Sequence, residues 1–169
     1  MMWAWMKGEM RVKKAGAWLL CAAWMVVIYV MSAMPGDTSG AQSGMIVDLL
    51  LAAVRLLFGV DAAAAVSVEL LSLLVRKAAH MTEYAVLFCL YRRALTLSGA
   101  KHPAITALLM SACYAATDEW HQGFVADRGP SAVDVGIDTL GAAIAWGAWD
   151  VAGKLKEIKK IKKSRKKER

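Results

Sequence analysis

AGAWLLCAAWMVVIYVMSAM, residues Ala15–Met34, is a run of twenty positions in which only Ser32 and the hydroxyl of Tyr29 are clearly polar. As a helix rising ~1.5 Å per residue it reaches across the ~30 Å hydrocarbon core of a bilayer, so it predicts a first transmembrane helix. Lys13 and Lys14 precede the run and Ser32-Ala33-Met34 offers small residues, features shared with a cleaved signal peptide. An apolar stretch this long exceeds the ~7–15 residues of a signal peptide, and further hydrophobic spans follow, so retention is expected.

Outward from that run, Pro35-Gly36-Asp37-Thr38-Ser39-Gly40 predicts a turn and the start of a polar connection. Residues 44–76 then place Met45, Ile46, Leu49, Leu50, Val54, Leu57 and Phe58 at helical spacing. After Gly59 and Asp61 come Val68, Leu70, Leu71, Leu73, Leu74 and Val75. Charges at 48, 55, 61 and 69 spoil either half as a spanning helix, which predicts two amphipathic helices at the membrane interface. Three shorter spans follow. Ala78–Tyr91 is bracketed by Arg76-Lys77 and Arg92-Arg93, whose long side chains can reach outward and extend it. Pro103–Trp120 opens on a proline suited to a first helical turn. Val133–Val151 has Asp134 and Asp138 near its start, small residues including Gly141 and Gly147 in its middle, and Trp146 and Trp149 near its end. The expected fold is an all-α polytopic membrane protein with four transmembrane helices and one or two amphipathic interfacial helices between the first and second.

The chain has 169 residues, 58% hydrophobic, with mean hydropathy +0.42 and a formal charge of +7. The charge is not spread evenly. Residues 153–169 hold ten Lys/Arg and two Glu, while residues 1–152 hold eleven Lys/Arg against twelve Asp/Glu. A globular nucleic-acid-binding domain would spread its cations over a folded face, so no nucleic-acid partner is expected. The division is a single transmembrane domain over 1–152 and a Lys-rich cytoplasmic tail over 153–169. The tail anchors topology and contacts anionic lipids, at ~1 kcal/mol per cation near the surface. Cys21, Cys89 and Cys113 are odd in number, sit in apolar runs and match no metal spacing, so they read as small apolar side chains. With four spans and both termini inside, seventeen Lys/Arg are cytoplasmic and only Arg55, Arg76, Lys77 and Arg128 lie outside, which predicts an N-in, C-in topology.

That topology brings the ionisable ends of the last three spans to one side. His80 and Glu83 begin the second span; Asp118, Glu119 and His121 end the third; Asp134 and Asp138 begin the fourth. His80 with Glu83 and Tyr84, Asp118 with His121 and Gln122, and Asp134 with Asp138 are i,i+3 or i,i+4 sets sharing helix faces. A charge inside a span costs roughly 2.5–3.5 kcal/mol on insertion scales, so Glu83, Asp118 and Asp138 are expected to face one another rather than lipid. His80, Glu83, Asp118, His121 and Asp138 are the candidates for chemistry, as general acid or base or as ligands of a divalent metal. Lys77, Tyr84, Glu119, Gln122, Arg128 and Asp134 are the candidates for substrate contact, Arg128 as a bidentate clamp on an anionic headgroup or as the partner of Asp127 or Asp134. A purely structural network pinning three short helices together, with Arg76, Lys77 and Arg128 as counter-charges, accounts for the same residues. The patterns are permissive and match no zinc signature; no cofactor is expected beyond an open place for a divalent metal. No Ser or Cys stands beside a base in the manner of a triad.

At these residues the sequence resembles the VanZ-like family of small bacterial integral membrane proteins over roughly Tyr29–Ala145. The resemblance rests on Tyr29-Val30-Met31-Ser32 running into Pro35-Gly36-Asp37, on Arg76-Lys77-Ala78-Ala79-His80-Met81-Thr82-Glu83-Tyr84, on Asp118-Glu119-Trp120-His121-Gln122-Gly123-Phe124, and on Arg128 followed by Asp134 and Asp138 with Thr139-Leu140-Gly141. It implies a multi-pass protein of the bacterial cytoplasmic membrane, with members linked to low-level resistance to glycopeptides such as teicoplanin, and no settled reaction. The expected function is an outer-leaflet polar site that binds or alters an envelope lipid or cell-wall precursor. The alternative is a membrane-embedded hydrolase or transferase acting on a lipid-linked substrate.

Overall fold

The apolar run lies within α1 (Met2–Ser32), and Gly8–Ser32 is long and apolar enough to cross a membrane, with mean hydropathy 1.9. It is the one such helix among the described residues. The computed structural model describes residues 2–34, 36–126 and 128–167. All regular structure in them is helical: α2 (Gly36–Phe58), α3 (Val60–Ala64), α4 (Val68–Ser98), α5 (Pro103–Gln122) and α6 (Ala132–Lys167) follow α1.

Two expected boundaries move. The polar stretch after Gly36 is helical backbone, the first turns of α2, as suits Asp, Thr and Ser at a helix start. The second expected amphipathic helix, Val68–Val75, is not separate. It forms the first turns of α4, because Ser67 caps that helix by accepting a hydrogen bond from the Leu70 N–H (3.2 Å) and no Gly or Pro interrupts the chain before Gly99. Arg76-Lys77 mark a change in polarity, not a break in the backbone. Gly99 ends α4 in the left-handed region, φ 79°, which its missing Cβ permits. The two helices between α1 and α4 are therefore α2 and the short α3. At the other end of the chain α6 runs unbroken past Gly153 into the basic tail, whose Lys, Leu and Glu residues are good helix formers.

α4 is the hub, packed along α6, α1 and α5, while α2 lies at the edge against α3 and α4. Matched contacts give the directions. Lys77 meets Asp134 and Arg92 meets Asp150, so α4 and α6 run parallel. The Trp18 indole donates to Ser98 Oγ (3.1 Å) and the Trp24 indole to the Glu83 carbonyl (2.9 Å), so α1 is antiparallel to α4. Tyr114 donates to the Met25 carbonyl (2.6 Å) and Ser32 meets Asp118, so α5 runs with α1.

The interior is small and tight: Tyr84, Leu87 and Phe88 of α4 fill the centre against Cys21 and Ile28 of α1, Ala107 and Ala115 of α5, and Ala142 of α6. α4 and α6 approach so closely that a Cβ on Gly141 would sit 2.2 Å from the Met81 carbonyl oxygen. Burial is inverted relative to a water-soluble bundle. Ser32, Ser111, Asp118, Glu119, Gln122 and Asp138 are buried, while large apolar side chains cover the outside, Leu56 at 86% exposure among them.

Candidate functional site

The parallel pairing of α4 with α6, and of α1 with α5, puts the early turns of α4 and α6 beside the last turns of α1 and α5. Every ionisable side chain of the site comes from that end. The α5–α6 connection closes it: the Ser131 N–H donates to Glu119 Oε2 (2.9 Å), and the Ser131 hydroxyl accepts from the Asp134 N–H (3.3 Å) as α6 begins. One residue thus ties the end of α5 to the start of α6.

Asp118 is the centre. It is 3% exposed, and its Oδ2 accepts hydrogen bonds from Ser32 Oγ (2.8 Å) and Gln122 Nε2 (3.2 Å), whereas Oδ1 has no hydrogen-bond partner among the described residues. Asp138, 1% exposed, likewise leaves Oδ2 without one. His80 of α4 joins them: His80, Asp118 and Asp138 each offer one ligand atom, all within 4.8 Å of one another. Glu83 is held beside the same imidazole, Oε2 3.6 Å from Nδ1.

Above this cluster lies a cavity of about 210 Å³ lined by Arg76, Lys77, His80, Arg128, Asp134 and Asp138, with Glu119 and Gln122 on the α5 side. Lys77 forms an ion pair with Asp134 across α4 and α6. Arg128 Nη1 donates to the Ser32 carbonyl (3.3 Å), which ties the α5–α6 connection to the end of α1. Its guanidinium is pulled below the ordinary arginine range by burial and by the neighbouring charge of Arg76, with Asp118 and Glu119 acting the other way. Neither Arg76 nor Arg128 has a carboxylate within ion-pair distance among the described residues, and the Nε of each is buried without a hydrogen-bond partner.

A family model described as VanZ/LLP1 matches residues 17–153, a stretch that contains every side chain named in this site. The chain belongs to the VanZ/LLP1 family. No curated protein and no solved structure matches it. VanZ/LLP1 proteins are generally membrane-associated, and α1 is a helix suited to a bilayer.

In this VanZ/LLP1 protein the residues singled out from the sequence fall into three places. His80, Asp118 and Asp138 form the buried cluster, with Glu83 next to His80 and the fully buried Tyr84 beside Asp118. Lys77, Glu119, Gln122, Arg128 and Asp134 line the cavity above it. His121 turns away toward α1, where its ring stacks on Tyr29 at 4.4 Å, and its Nε2 is buried without a hydrogen-bond partner among the described residues. Asp134 pairs with Lys77 rather than Arg128, and the alternative pairing of Arg128 with Asp127 falls outside the described residues.

One contributor was not singled out for the site: Ser32 reaches Asp118 from α1. Arg76, expected as a counter-charge, lines the cavity. A signal for Ser32 existed, since with Tyr29 it is one of the clearly polar members of the twenty-residue apolar run.

Proposed function

We propose that this VanZ/LLP1 protein crosses the bacterial cytoplasmic membrane four times, through α1, α4, α5 and α6, with both termini inside. In the cavity under Arg76 and Arg128 it binds the phosphate-bearing headgroup of an envelope lipid or lipid-linked cell-wall precursor at the outer leaflet. The single observation that carries the ligand class is the pair of guanidiniums over a cavity walled by buried polar groups, neither with a carboxylate within ion-pair distance among the described residues. The four-span placement draws support from the alternating helix directions, from the apolar exterior and from the concentration of Lys/Arg on the predicted inside. A protein that sequesters or alters such a headgroup would lower the access of a glycopeptide such as teicoplanin to its target, in keeping with the resistance that the family resemblance implies.

The test is binding of an anionic phospholipid to full-length protein in nanodiscs, together with glycopeptide susceptibility of expressing cells at matched membrane abundance. Arg128→Gln and Arg76→Gln each remove charge-assisted hydrogen bonds of about 1.5–3 kcal/mol, so headgroup affinity should fall roughly tenfold or more. Unchanged binding in both variants would sink the reading.

The grouping of His80 with Asp118 and Asp138 favours a second reading, a hydrolase or transferase acting on the bound lipid, with these groups as acid, base or metal ligands. A changed lipid profile in expressing membranes, abolished by Asp118→Asn, supports it. An unchanged profile with the susceptibility phenotype intact removes it.

A further inference from the structure

The carboxylates of the site outnumber its cations. Glu83, Asp118, Glu119, Asp134 and Asp138 stand against Arg76, Lys77 and Arg128, five carboxyl groups to three cationic side chains around His80. Two of those carboxylates are among the most buried polar groups of the described chain, and each keeps an oxygen with no hydrogen donor among the described residues. Leaving buried charge in that state is costly, whether the surroundings are protein or hydrocarbon. We propose that His80, Asp118 and Asp138 together bind one divalent cation at the floor of the cavity.

The geometry supports the assignment at three points. The three candidate ligand atoms lie within 4.8 Å of one another. Three ligands at about 2.0–2.2 Å from one ion lie at most roughly 3.8 Å from one another, so closing on an ion takes a shift of up to about 0.6 Å at each. Second, Asp118 is already oriented as a one-oxygen ligand: Ser32 and Gln122 occupy Oδ2 and leave Oδ1 open. Outer hydrogen bonds of this kind hold metal-binding carboxylates in register. Third, Glu83 Oε2 stands 3.6 Å from Nδ1 of His80, both atoms without a hydrogen-bond partner among the described residues, so a small shift would let it brace the imidazole as carboxylates brace ligating histidines. The ligands come from α4, α5 and α6, so the ion would fasten three helices at one point. One imidazole and two carboxylates suit Mn²⁺ or Zn²⁺ better than the softer metals that thiolates select.

Such an ion offsets the surplus of carboxyl groups. It also presents open coordination positions to the cavity, under Arg76 and Arg128, where a phosphate oxygen can bind. That last consequence rests on the headgroup reading; the metal site itself does not.

The experiment uses full-length protein in detergent, stripped with a chelator and titrated with Mn²⁺ alone, followed by competition with Zn²⁺. About one equivalent per chain should bind, with nitrogen coupling from one imidazole in the electron-spin-echo spectrum. His80→Ala, Asp118→Asn and Asp138→Asn should each weaken binding by more than about tenfold, and Glu83→Gln by roughly tenfold. Asp150→Asn, twelve residues beyond Asp138 along α6, should leave it unchanged. Retained affinity in the Asp118 and Asp138 variants, the absence of stoichiometric binding, or a manganese signal without nitrogen coupling in the unaltered protein would overturn the proposal. Helical circular dichroism and a monodisperse elution profile identify variants that have lost the fold, and the spectrum of the unaltered protein decides the matter without them. Should metal bind as expected while both Arg76→Gln and Arg128→Gln leave lipid binding intact, the headgroup reading fails and the metal site stands.

Discussion

Two buried serines separate the energetics of this interior. Ser32 on α1 donates across the bundle to Asp118, whereas Ser111 on α5 donates to the Ala107 carbonyl of its own helix (2.9 Å). Removing the first hydroxyl leaves a buried carboxylate oxygen with one donor fewer; removing the second leaves a carbonyl still engaged in its helix. Ser32→Ala should therefore cost about 0.6–2 kcal/mol and Ser111→Ala markedly less, read as thermal unfolding in the same detergent. Equal losses would mean that Asp118 draws nothing from α1. The same pair shows which polar residues the sequence could reveal. His80, Glu83, Asp118 and Asp138 stand out because charge inside a span is expensive and their helical spacing gives each a face. Ser32 is a small hydroxyl in an apolar run, common in membrane helices and tied to no spacing, so only its contact with Asp118 marks it as part of the site.

Among the elements, the closest contact is also the most vulnerable. The hydrogen on Gly141 Cα stands where a methyl group would meet the Met81 carbonyl, carbon and Cα at 2.2–2.8 Å, all of them backbone. Gly141→Ala forces α4 and α6 apart near His80 and Asp138, and a loss of at least ~1–3 kcal/mol is expected, together with the ion and lipid binding that depend on their spacing. Gly147, two turns further along α6, has nothing within 4 Å of its Cβ position. Gly147→Ala should be tolerated or slightly stabilising, by up to ~1 kcal/mol of helix propensity. Comparing the two variants by thermal unfolding checks the packing directly. Helix ends were legible where the chain carries punctuation: Pro103 begins α5 and Gly99 ends α4. The start of α4 was not, because Arg76-Lys77 look like a membrane boundary while the backbone runs straight through them. A polarity pattern reports what a helix touches, and says less about where its hydrogen bonding stops.

For the whole molecule, the distribution of cations gives a test of placement. A carboxy-terminal fluorescent fusion should be bright and a carboxy-terminal alkaline phosphatase fusion inactive if the tail is cytoplasmic; the reverse result overturns the N-in, C-in arrangement. Truncation after Gly153 removes the tail with its excess of eight positive charges, and should lower the fraction of correctly oriented chain without changing metal or lipid affinity per folded molecule. The gathering of acidic groups at one end of the bundle was readable from alternation alone, since consecutive spans must reverse direction. The division of that end into a buried cluster and a cavity above it was not, because it depends on the rotation of each helix about its axis, which tertiary packing sets.

The far end of α4 gives this arrangement a mechanical meaning. Arg92 is fixed there: both of its terminal nitrogens donate to Asp150 Oδ1 (3.1 Å), it lies 4.9 Å from the centre of the Trp149 ring, and Asp150 is also held by Trp146 (2.8 Å). From Lys77 to Arg92 the helix has only fifteen steps, about 22 Å, against an unperturbed hydrocarbon thickness of ~30 Å. On the four-span placement proposed above, a protein clamped at both ends in this way would dimple the bilayer around α4 and α6, at a modest elastic cost for each ångström. The dimple would lower neighbouring headgroups toward the protein and bias it toward thin patches of membrane. Lipid thickness would then be a variable that tunes how readily the cavity fills.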